Sequence, residues 1–305
     1  MKAVSAGIVA LALALFVPTA WASPRADMSA MTPSTPIEDF ARVVQSVNLA
    51  VSDQIWAMPS PSVLDRSPTE AQTALVDWIE TSRTLAAAQR RMLTQTATPQ
   101  DADPRRQAAL QAQDAIMHRY LESLELLLEE LDYYAASAAR LSQHEAWFAD
   151  AFYDGRTLAL RVQHELALSQ ADLSEDPLAA SGLRVLAYST QVQLELARAA
   201  HNRAHASFLN AREIADNLTR AADAMRAALQ EAAPLLAERG EDADGWRLAL
   251  AYEADIADAA MLAAQALRSQ TSVSWAGRGA EMNRLVELYR ARPARTTSFA
   301  MTFTL

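Results

Sequence analysis

Residues 183–232 read LRVLAYSTQVQLELARAAHNRAHASFLNAREIADNLTRAADAMRAALQEA, and mostly small or apolar side chains recur in this stretch every seven residues. One set of heptad positions is Ala187, Leu194, His201, Phe208, Ala215, Ala222 and Leu229. The other set is Leu183, Thr190, Ala197, Ala204, Ala211, Leu218, Met225 and Ala232. A seven-residue repeat held in one register indicates a helix that supercoils against a neighbouring helix. We therefore predict an all-α fold, a bundle of long antiparallel helices that contains one heptad-packed helix pair.

The rest of the chain carries helix signals of a different kind. A capping side chain followed by proline marks a helix start at Ser67-Pro68 and at Asp103-Pro104. We predict helices over residues 36–58, 68–98, 104–155, 156–172, 246–268 and 280–291, in addition to the heptad stretch. The segment 104–155 is either one very long helix or two helices with a kink near Tyr133.

Residues 1–22 have the features of an export signal. Lys2 supplies positive charge, an apolar run covers residues 7–17, and Ala20 and Ala22 provide small residues before a cleavage site at Ser23. The apolar run is shorter than the roughly 20 residues that a membrane-spanning helix needs. We predict a periplasmic or secreted chain that divides into a signal peptide (1–22), a flexible leader (23–36), a helical bundle (37–292) and an extended C-terminal tail (293–305).

The charge balance and the lack of cysteine exclude several classes of function. The sequence carries 27 Lys and Arg against 37 Asp and Glu, a net charge of −10 with neutral histidine. Nucleic acid and anionic lipid attract concentrated positive charge, so we expect neither as the main partner. Without cysteine, the chain has no disulfide, no thiolate metal ligand and no cysteine nucleophile. No later apolar run is long enough to span a bilayer, so we predict no transmembrane segment after signal removal.

Two histidines form a candidate metal site. His201 and His205 lie four residues apart, a spacing that places both imidazoles on one side of a helix. Two imidazoles so placed are able to bind one metal ion. The competing interpretation is a histidine that packs on the heptad face and fixes its register. No histidine has glutamate three residues before it, as carboxylate-bridged di-iron bundles require, and we predict no cofactor.

Two charged patterns accompany the apolar faces. An acidic stripe is formed by Glu122, Glu125, Glu129 and Asp132. We interpret the stripe as a solvated face opposite buried leucines, with acid–base or cation-binding chemistry as the alternative. Three arginines, Arg198, Arg212 and Arg226, recur every fourteen residues. We predict that they form ion pairs with a neighbouring helix, and the alternative is a site for an acidic partner.

The tail, residues 293–305, alternates apolar and small polar residues, which is a strand period in an otherwise helical sequence. Its apolar residues are Phe299, Met301, Phe303 and Leu305. We predict Phe299, Phe303 and Leu305 as partner-binding residues that add an extended segment to a sheet edge. The alternative is that the apolar side chains of the tail fold back onto the bundle.

The sequence contains no recognisable catalytic motif. Gly-x-Ser-x-Gly, His-Glu-x-x-His and glycine-rich phosphate loops are all missing. We therefore predict a non-enzymatic role in binding or assembly in the bacterial envelope, with a protein partner or self-association. Two alternatives stay open, a periplasmic bundle that binds a small ligand or a metal, and an enzyme whose catalytic groups form no local motif.

Overall fold

A computed structural model describes residues 35–64, 66–204, 211–239, 244–268 and 279–291. These residues form nine α-helices and one short 3-10 helix, and no β-strand occurs among them. The prediction of an all-α, bundle-like fold is therefore confirmed. The chain divides into two compact units, with the boundary after Val162. We call the described residues up to 162 the N-terminal unit and those from 163 onward the C-terminal unit.

Five helices belong wholly or partly to the N-terminal unit. They are α1 (Pro36–Trp56), α2 (Pro68–Gln95), α3 (Pro104–Ala135), α4 (Ala138–Gln143) and α5 (Glu145–Leu173), with the 3-10 helix Pro61–Val63 between α1 and α2. Helices α1, α2 and α3 begin where the sequence predicts, because Thr35, Ser67 and Asp103 each accept a hydrogen bond from a first-turn backbone N–H. Ion pairs of Arg83 with Asp132 and of Arg90 with Glu125 show that α2 and α3 are antiparallel.

Large apolar side chains fill the core of the N-terminal unit. The largest fully buried ones are Phe40, Ile55, Leu75, Ile79, Leu110, Met117, Tyr120, Leu121, Leu124, Leu128, Leu131 and Phe148. The Tyr120 hydroxyl shares a hydrogen bond of 3.1 Å with the Ser52 hydroxyl, so these two buried polar groups satisfy each other. The buried leucines of α3 lie at three- and four-residue spacing, so they form one continuous face of the helix.

The segment predicted as a helix over 104–155 is broken, close to the kink expected near Tyr133. Helix α3 ends at Ala135 and α5 begins at Glu145, with α4 between them. The helix end predicted at Asp154 and Gly155 is wrong, because both residues lie inside α5. A Cβ at Gly155 would lie 3.1 Å from Met58 Cε and 3.2 Å from Leu127 Cδ2. This glycine therefore marks a close approach between helices, which the sequence pattern does not distinguish from a helix end.

The C-terminal unit contains the end of α5 and four further helices. They are α6 (Pro177–Ala204), α7 (Ala211–Glu238), α8 (Asp244–Arg268) and α9 (Gly279–Ala291). Helices α6 and α7 are antiparallel, because Arg198 pairs with Glu213 and Arg184 pairs with Glu231. Helices α7 and α8 are also antiparallel, since Arg226 pairs with Asp258 and Arg268 with Asp216.

The interpretation of residues 183–232 as one continuous helix is wrong. Their heptad positions are divided between α6 and α7, which run in opposite directions, and residues 205–210 lie outside the described ranges. Many heptad residues are nevertheless buried, among them Ala187, Leu194, Leu218 and Met225. A heptad pattern indicates which face of a helix is apolar but not where the chain reverses direction. It is therefore compatible with a helical hairpin as well as with one continuous helix. The supercoiled packing of this pair stays a prediction.

Alanine dominates the core of the C-terminal unit. Buried alanines include Ala215, Ala221, Ala222, Ala228, Ala257, Ala260, Ala263 and Ala264. Such small side chains allow helix backbones to approach each other closely. Trp246 enters this core beside a glycine, because a Cβ at Gly182 would lie 2.9 Å from Cη2 of Trp246 and closer still to Cζ3.

Some predicted segments fall outside the described ranges. The signal peptide (1–22), nearly all of the leader (23–36) and the tail (293–305) lie there and stay predictions. Within the part of the chain that the structure describes, no helix combines the length and the apolar character needed to cross a bilayer.

Candidate functional site

Three large apolar side chains of the N-terminal unit are exposed near one corner. Leu126 and Tyr133 of α3 are 67% and 57% exposed, and Trp147 of α5 is 56% exposed. Leu126 and Tyr133 are seven residues apart, so they lie two turns from each other on one face of α3. Glu130, which is also exposed, lies on the same face between them.

The first turns of α5 provide the other half of this corner. Trp147, Asp150 and Asp154 follow one another at three- and four-residue spacing and therefore share a face of α5. Helix α5 lies beside α3, because the rings of Tyr134 and His144 are 5.6 Å apart and Gly155 lies against Leu127. We use the name aromatic–acidic surface for Leu126, Glu130, Tyr133, Trp147, Asp150 and Asp154.

Negative charge is concentrated in the aromatic–acidic surface. Desolvation raises the pKa of the Glu130 carboxyl, and the nearby charges of Asp154 and Asp150 raise it further. Carboxylates that lie close together repel each other, which disfavours their ionised forms. A positive charge near Glu130, Asp150 and Asp154 favours the ionised form of each. The surface is therefore suited to a cationic group.

Arg140 of α4 supports the aromatic edge of this surface. Its guanidinium carbon lies 4.7 Å from the centre of the Tyr133 ring, and Nη1 donates a hydrogen bond of 3.1 Å to the Tyr133 carbonyl oxygen. The Tyr133 ring also meets the Tyr134 ring edge to face at 5.3 Å. These contacts hold the exposed Tyr133 ring in one orientation, which lowers the entropy cost of using it to bind a partner.

The acidic stripe predicted on α3 has a different role from the aromatic–acidic surface. Glu125 pairs with Arg90 at 2.7 Å and Asp132 pairs with Arg83 at 3.0 Å, both across to α2. Glu122, Glu129 and Asp132 are exposed and Glu125 is half-buried, while the leucines at the neighbouring positions of α3 are buried, as the interpretation of a solvated face predicts.

The sequence pattern does not identify Leu126, Tyr133 and Trp147 as functional candidates. The sequence does indicate that Leu126 is exposed, because Leu126 does not share the three- and four-residue spacing of the buried leucines Leu121, Leu124, Leu128 and Leu131. Tyr133 was noted only as a possible kink. For Trp147 the chain offers no local signal, since its exposure depends on where α5 begins after the break.

Other predicted site residues lie elsewhere or outside the described ranges. His201 is half-buried in α6, whereas His205 is outside the described residues, so the metal site stays a prediction. Among the residues that the structure describes, no three His, Asp or Glu side chains are arranged to hold a metal ion. Phe299, Phe303 and Leu305 also lie outside the described ranges and stay predicted partner-binding residues.

The arginines spaced by fourteen residues form the predicted ion pairs in two of three cases. Arg198 pairs with Glu213 of α7 at 3.0 Å, and Arg226 pairs with Asp258 of α8 at 2.7 Å. Arg212 is exposed near the start of α7. Arg198 and Arg226 therefore join neighbouring helices of the C-terminal unit.

A buried carboxylate lies between α6 and α7. Glu195 is 0% exposed, and its carboxylate accepts hydrogen bonds from Gln191 Nε2 at 3.1 Å, Arg198 Nη1 at 3.1 Å and Asn217 Nδ2 at 3.0 Å. Burial raises the pKa of Glu195, while the Arg198 charge and the Asn217 hydrogen bond act in the opposite direction. Because its partners come from both helices, the Glu195 network favours one register of α6 against α7.

The N-terminal unit buries a cation. Arg156 is 6% exposed, its Nη2 donates a hydrogen bond of 2.7 Å to the Trp56 carbonyl oxygen, and its guanidinium carbon lies 4.1 Å from the centre of the Trp56 ring and 4.9 Å from that of Phe152. Burial lowers the pKa of Arg156 to about 9. Among the described residues, Nη1 of Arg156 has no hydrogen-bond acceptor.

Of these features, the aromatic–acidic surface presents its groups to solvent, whereas Arg156 and Glu195 are enclosed by their own units. Its exposed apolar side chains and the exposed Glu130 carboxylate face solvent, where another molecule is able to contact them. A functional assignment must therefore be argued from this surface, because the chain matches no protein-family model, no curated protein and no solved structure.

Proposed function

We propose that this protein is an exported, non-enzymatic binding protein of the bacterial envelope. Its aromatic–acidic surface holds a partner segment that carries positive charge and apolar side chains. The observation that carries this proposal is the grouping of exposed Leu126, Tyr133 and Trp147 around three carboxylates. Exposed apolar residues are ordinary when they are scattered singly, whereas a group rimmed by charge is typical of an interaction site.

The residue types on the surface suit strong, localised binding. Tryptophan and tyrosine are enriched among the residues that dominate binding energy, because each buries a large area with few rotatable bonds. Tyr133 is already held by Arg140 and Tyr134, so little ordering is required on binding. Leu126 extends the apolar area along α3.

The charge of the surface selects the partner. An arginine guanidinium stacks on aromatic rings and also forms charge-assisted hydrogen bonds with carboxylates, so one side chain type satisfies both halves of the surface. An acidic partner is disfavoured by repulsion from Glu130, Asp150 and Asp154 and by the net charge of −10.

Export is supported by the pattern of residues 1–22. Protein recovered from the envelope of its host is expected to begin at Ser23, and Ala22→Arg is expected to block this processing, because a large charged residue does not fit the small −1 position. Intact mass measurement distinguishes the two forms. An unprocessed chain found in the cytoplasm would contradict export while leaving the binding surface to be tested separately.

The binding proposal is tested with two fluorescein-labelled hexapeptides. One alternates arginine and phenylalanine, and the other alternates glutamate and phenylalanine. Fluorescence anisotropy with the full mature protein is expected to show binding of the basic peptide at least tenfold tighter than that of the acidic peptide. Binding is expected to weaken with added salt, because exposed charges are screened.

Matched variants locate the binding site. Trp147→Ala is expected to weaken binding of the basic peptide about tenfold or more, and Glu130→Gln by a smaller factor with a reduced salt dependence. Leu248→Ala and Glu238→Gln remove an exposed leucine and an exposed carboxylate of the C-terminal unit and serve as controls. Equal binding of both peptides, or equal loss in the control variants, would contradict the proposal.

A further inference from the structure

We propose that the aromatic–acidic surface of one copy binds a basic tail, residues 292–305, of a second copy, so that the protein assembles with itself. This inference rests on the proposed function of that surface and names its occupant. The occupant is a segment of this chain that lies outside the described residues.

The basic tail has the chemistry that the surface requires. Residues 292–305 read RPARTTSFAMTFTL, with Arg292 and Arg295 but no carboxylate side chain, in a chain whose net charge is −10. No other stretch outside the described ranges has two arginines and no acidic residue. Beyond the arginines, Phe299 and the later apolar residues provide groups that match Leu126, Tyr133 and Trp147.

The spacing of the tail also fits the size of the surface. An extended chain spans roughly 13 Å over the four residues from Arg295 to Phe299. Helix α3 rises about 10 Å between Leu126 and Tyr133, with Glu130 between them. In an extended conformation, Arg295 is therefore able to reach Glu130 while Phe299 contacts an apolar residue of the same surface.

A second copy provides the tail without any change in either compact unit. The surface belongs to the N-terminal unit, and the tail follows α9 of the C-terminal unit. Binding between copies leaves both cores as they are, because it uses only exposed side chains and a segment outside the described helices. Each copy has one surface and one tail, so binding of the tail to a second copy links copies together.

The test is a charge exchange in the full mature protein, read as molar mass by sedimentation equilibrium over increasing concentration. Wild type is expected to self-associate. Glu130→Arg and Arg295→Glu are each expected to weaken self-association at least tenfold, and the double variant that carries both is expected to recover to within about threefold of wild type. Arg91→Glu and Arg284→Glu reverse exposed arginines elsewhere and are expected to leave the association constant unchanged.

Mixing the two single variants tests whether the contact joins different copies. The Glu130→Arg protein keeps its tail and the Arg295→Glu protein keeps its surface, so an equimolar mixture is expected to form a one-to-one complex that neither variant forms alone. Circular dichroism of each variant checks that the helices are intact.

Three outcomes would overturn the inference: a wild-type monomer at every concentration, self-association unaffected by either reversal, or no complex in the mixture. The proposed function is judged separately with the hexapeptides. Binding of the basic hexapeptide to a monomeric wild type would reject the tail as occupant and keep the surface as a site for another basic segment. Failure of both experiments would reject both proposals.

Discussion

Buried charges are stabilised differently in the two compact units, as a comparison of Arg156 with Glu195 shows. In the N-terminal unit, Arg156 lies against the rings of Trp56 and Phe152 and donates one hydrogen bond to a backbone carbonyl. In the C-terminal unit, Glu195 accepts hydrogen bonds from three polar side chains, one of which carries the opposite charge.

The difference follows from the chemistry of the two ions. A guanidinium is planar and weakly hydrated, so aromatic faces replace part of its hydration. A carboxylate is repelled by the negative face of an aromatic ring and is stabilised by hydrogen-bond donors. A buried arginine can therefore depend on packing, whereas a buried glutamate depends on the identity of its polar neighbours.

The largest effect is expected from removing the buried cation. Arg156→Ala is expected to lower the free energy of unfolding by about 3 to 4 kcal/mol, because it leaves a cavity beside two aromatic rings and removes the arginine stem. Arg156→Lys keeps the charge but loses the planar stacking, and about 2 kcal/mol is expected. Guanidinium chloride denaturation measures both values. A loss below about 0.5 kcal/mol for Arg156→Ala, a typical surface value, would contradict the packing role.

A somewhat smaller effect is expected from removing the buried anion. Glu195→Ala is expected to cost about 2 to 3 kcal/mol, less than the usual cost of breaking a buried ion pair, because Arg198 keeps its pair with Glu213. Glu231→Ala is the control, since Glu231 pairs with Arg184 in an exposed position and is expected to cost less than about 1 kcal/mol. Hydrogen exchange should locate the Glu195→Ala loss in α6 and α7. Equal losses for the two variants would contradict the importance of the network.

Helix starts depend on residues that are adjacent in the chain and can be predicted from the sequence. Contacts between distant residues cannot be predicted in this way. The helix starts at Pro68 and Pro104 are predictable because the capping residue and the proline are adjacent in the chain, and the start at Pro36 because Glu38 and Asp39 lie in the first turn. The reversal between α6 and α7 was missed because a heptad pattern has no direction. The hydrogen-bond partners of the buried charges cannot be predicted from the sequence, because Trp56 is 100 positions from Arg156 and Asn217 is 22 positions from Glu195.

The aromatic–acidic surface was also only partly accessible from the sequence. The exposure of Leu126 follows from the leucine spacing of α3. Its proximity to Asp150 and Asp154, however, depends on α5 folding back beside α3. That arrangement is carried by contacts such as Leu127 with Gly155, and glycine there had been interpreted as a helix end.

Among the described residues, Gly155 and Gly182 each face a neighbouring side chain, so that alanine at each position compares the packing of the two cores. Gly182→Ala is expected to cost about 2 kcal/mol, because the new Cβ overlaps the rigid Trp246 ring in an alanine-rich core. At Gly155 the nearest atoms, Met58 Cε and Leu127 Cδ2, are the ends of flexible side chains, and alanine gains about 1 kcal/mol of helix propensity. Gly155→Ala is therefore expected to stay within about 1 kcal/mol of wild type. Thermal unfolding of both variants checks the order, and a larger loss at Gly155 would reverse it.

Buried tyrosine hydroxyls provide a matched pair with smaller effects. The Tyr289 hydroxyl donates to the Ser189 carbonyl oxygen at 2.7 Å and lies 3.1 Å from the Ser189 hydroxyl, whereas the Tyr120 hydroxyl contacts the Ser52 hydroxyl alone. Tyr289→Phe is expected to cost about 1.5 kcal/mol and Tyr120→Phe about 1 kcal/mol, in proportion to the hydrogen bonds lost. Denaturation midpoints measured side by side test this order. A larger loss for Tyr120→Phe would show that the polar contact matters more in the large-residue core.

The pH dependence of stability should distinguish Glu195 from Arg156, and the expected changes are the smallest of those predicted here. The pKa of Glu195 is raised in the folded protein by burial, against the effects of Arg198 and Asn217, with the charge of Glu213 also raising it. Between the unfolded and the raised folded pKa, the folded state holds more protons, so the contribution of Glu195 to stability falls as pH rises through that window. Glu195→Gln does not titrate, and its stability relative to wild type is therefore expected to rise as pH increases from about 4 to 7.

Arg156 contributes no such dependence in that range, because its pKa, although lowered to about 9, lies above it. The stability of Arg156→Ala relative to wild type is accordingly expected to stay constant from about pH 4 to 7, since Arg156 stays protonated across that range and alanine does not titrate. Thermal midpoints of the three proteins at each pH provide the comparison. A constant difference for Glu195→Gln would mean that Arg198 and Asn217 fully offset the burial of the carboxylate. Burial of Glu195 would then be compensated by its partners, whereas burial of Arg156 still lowers the pKa of its guanidinium.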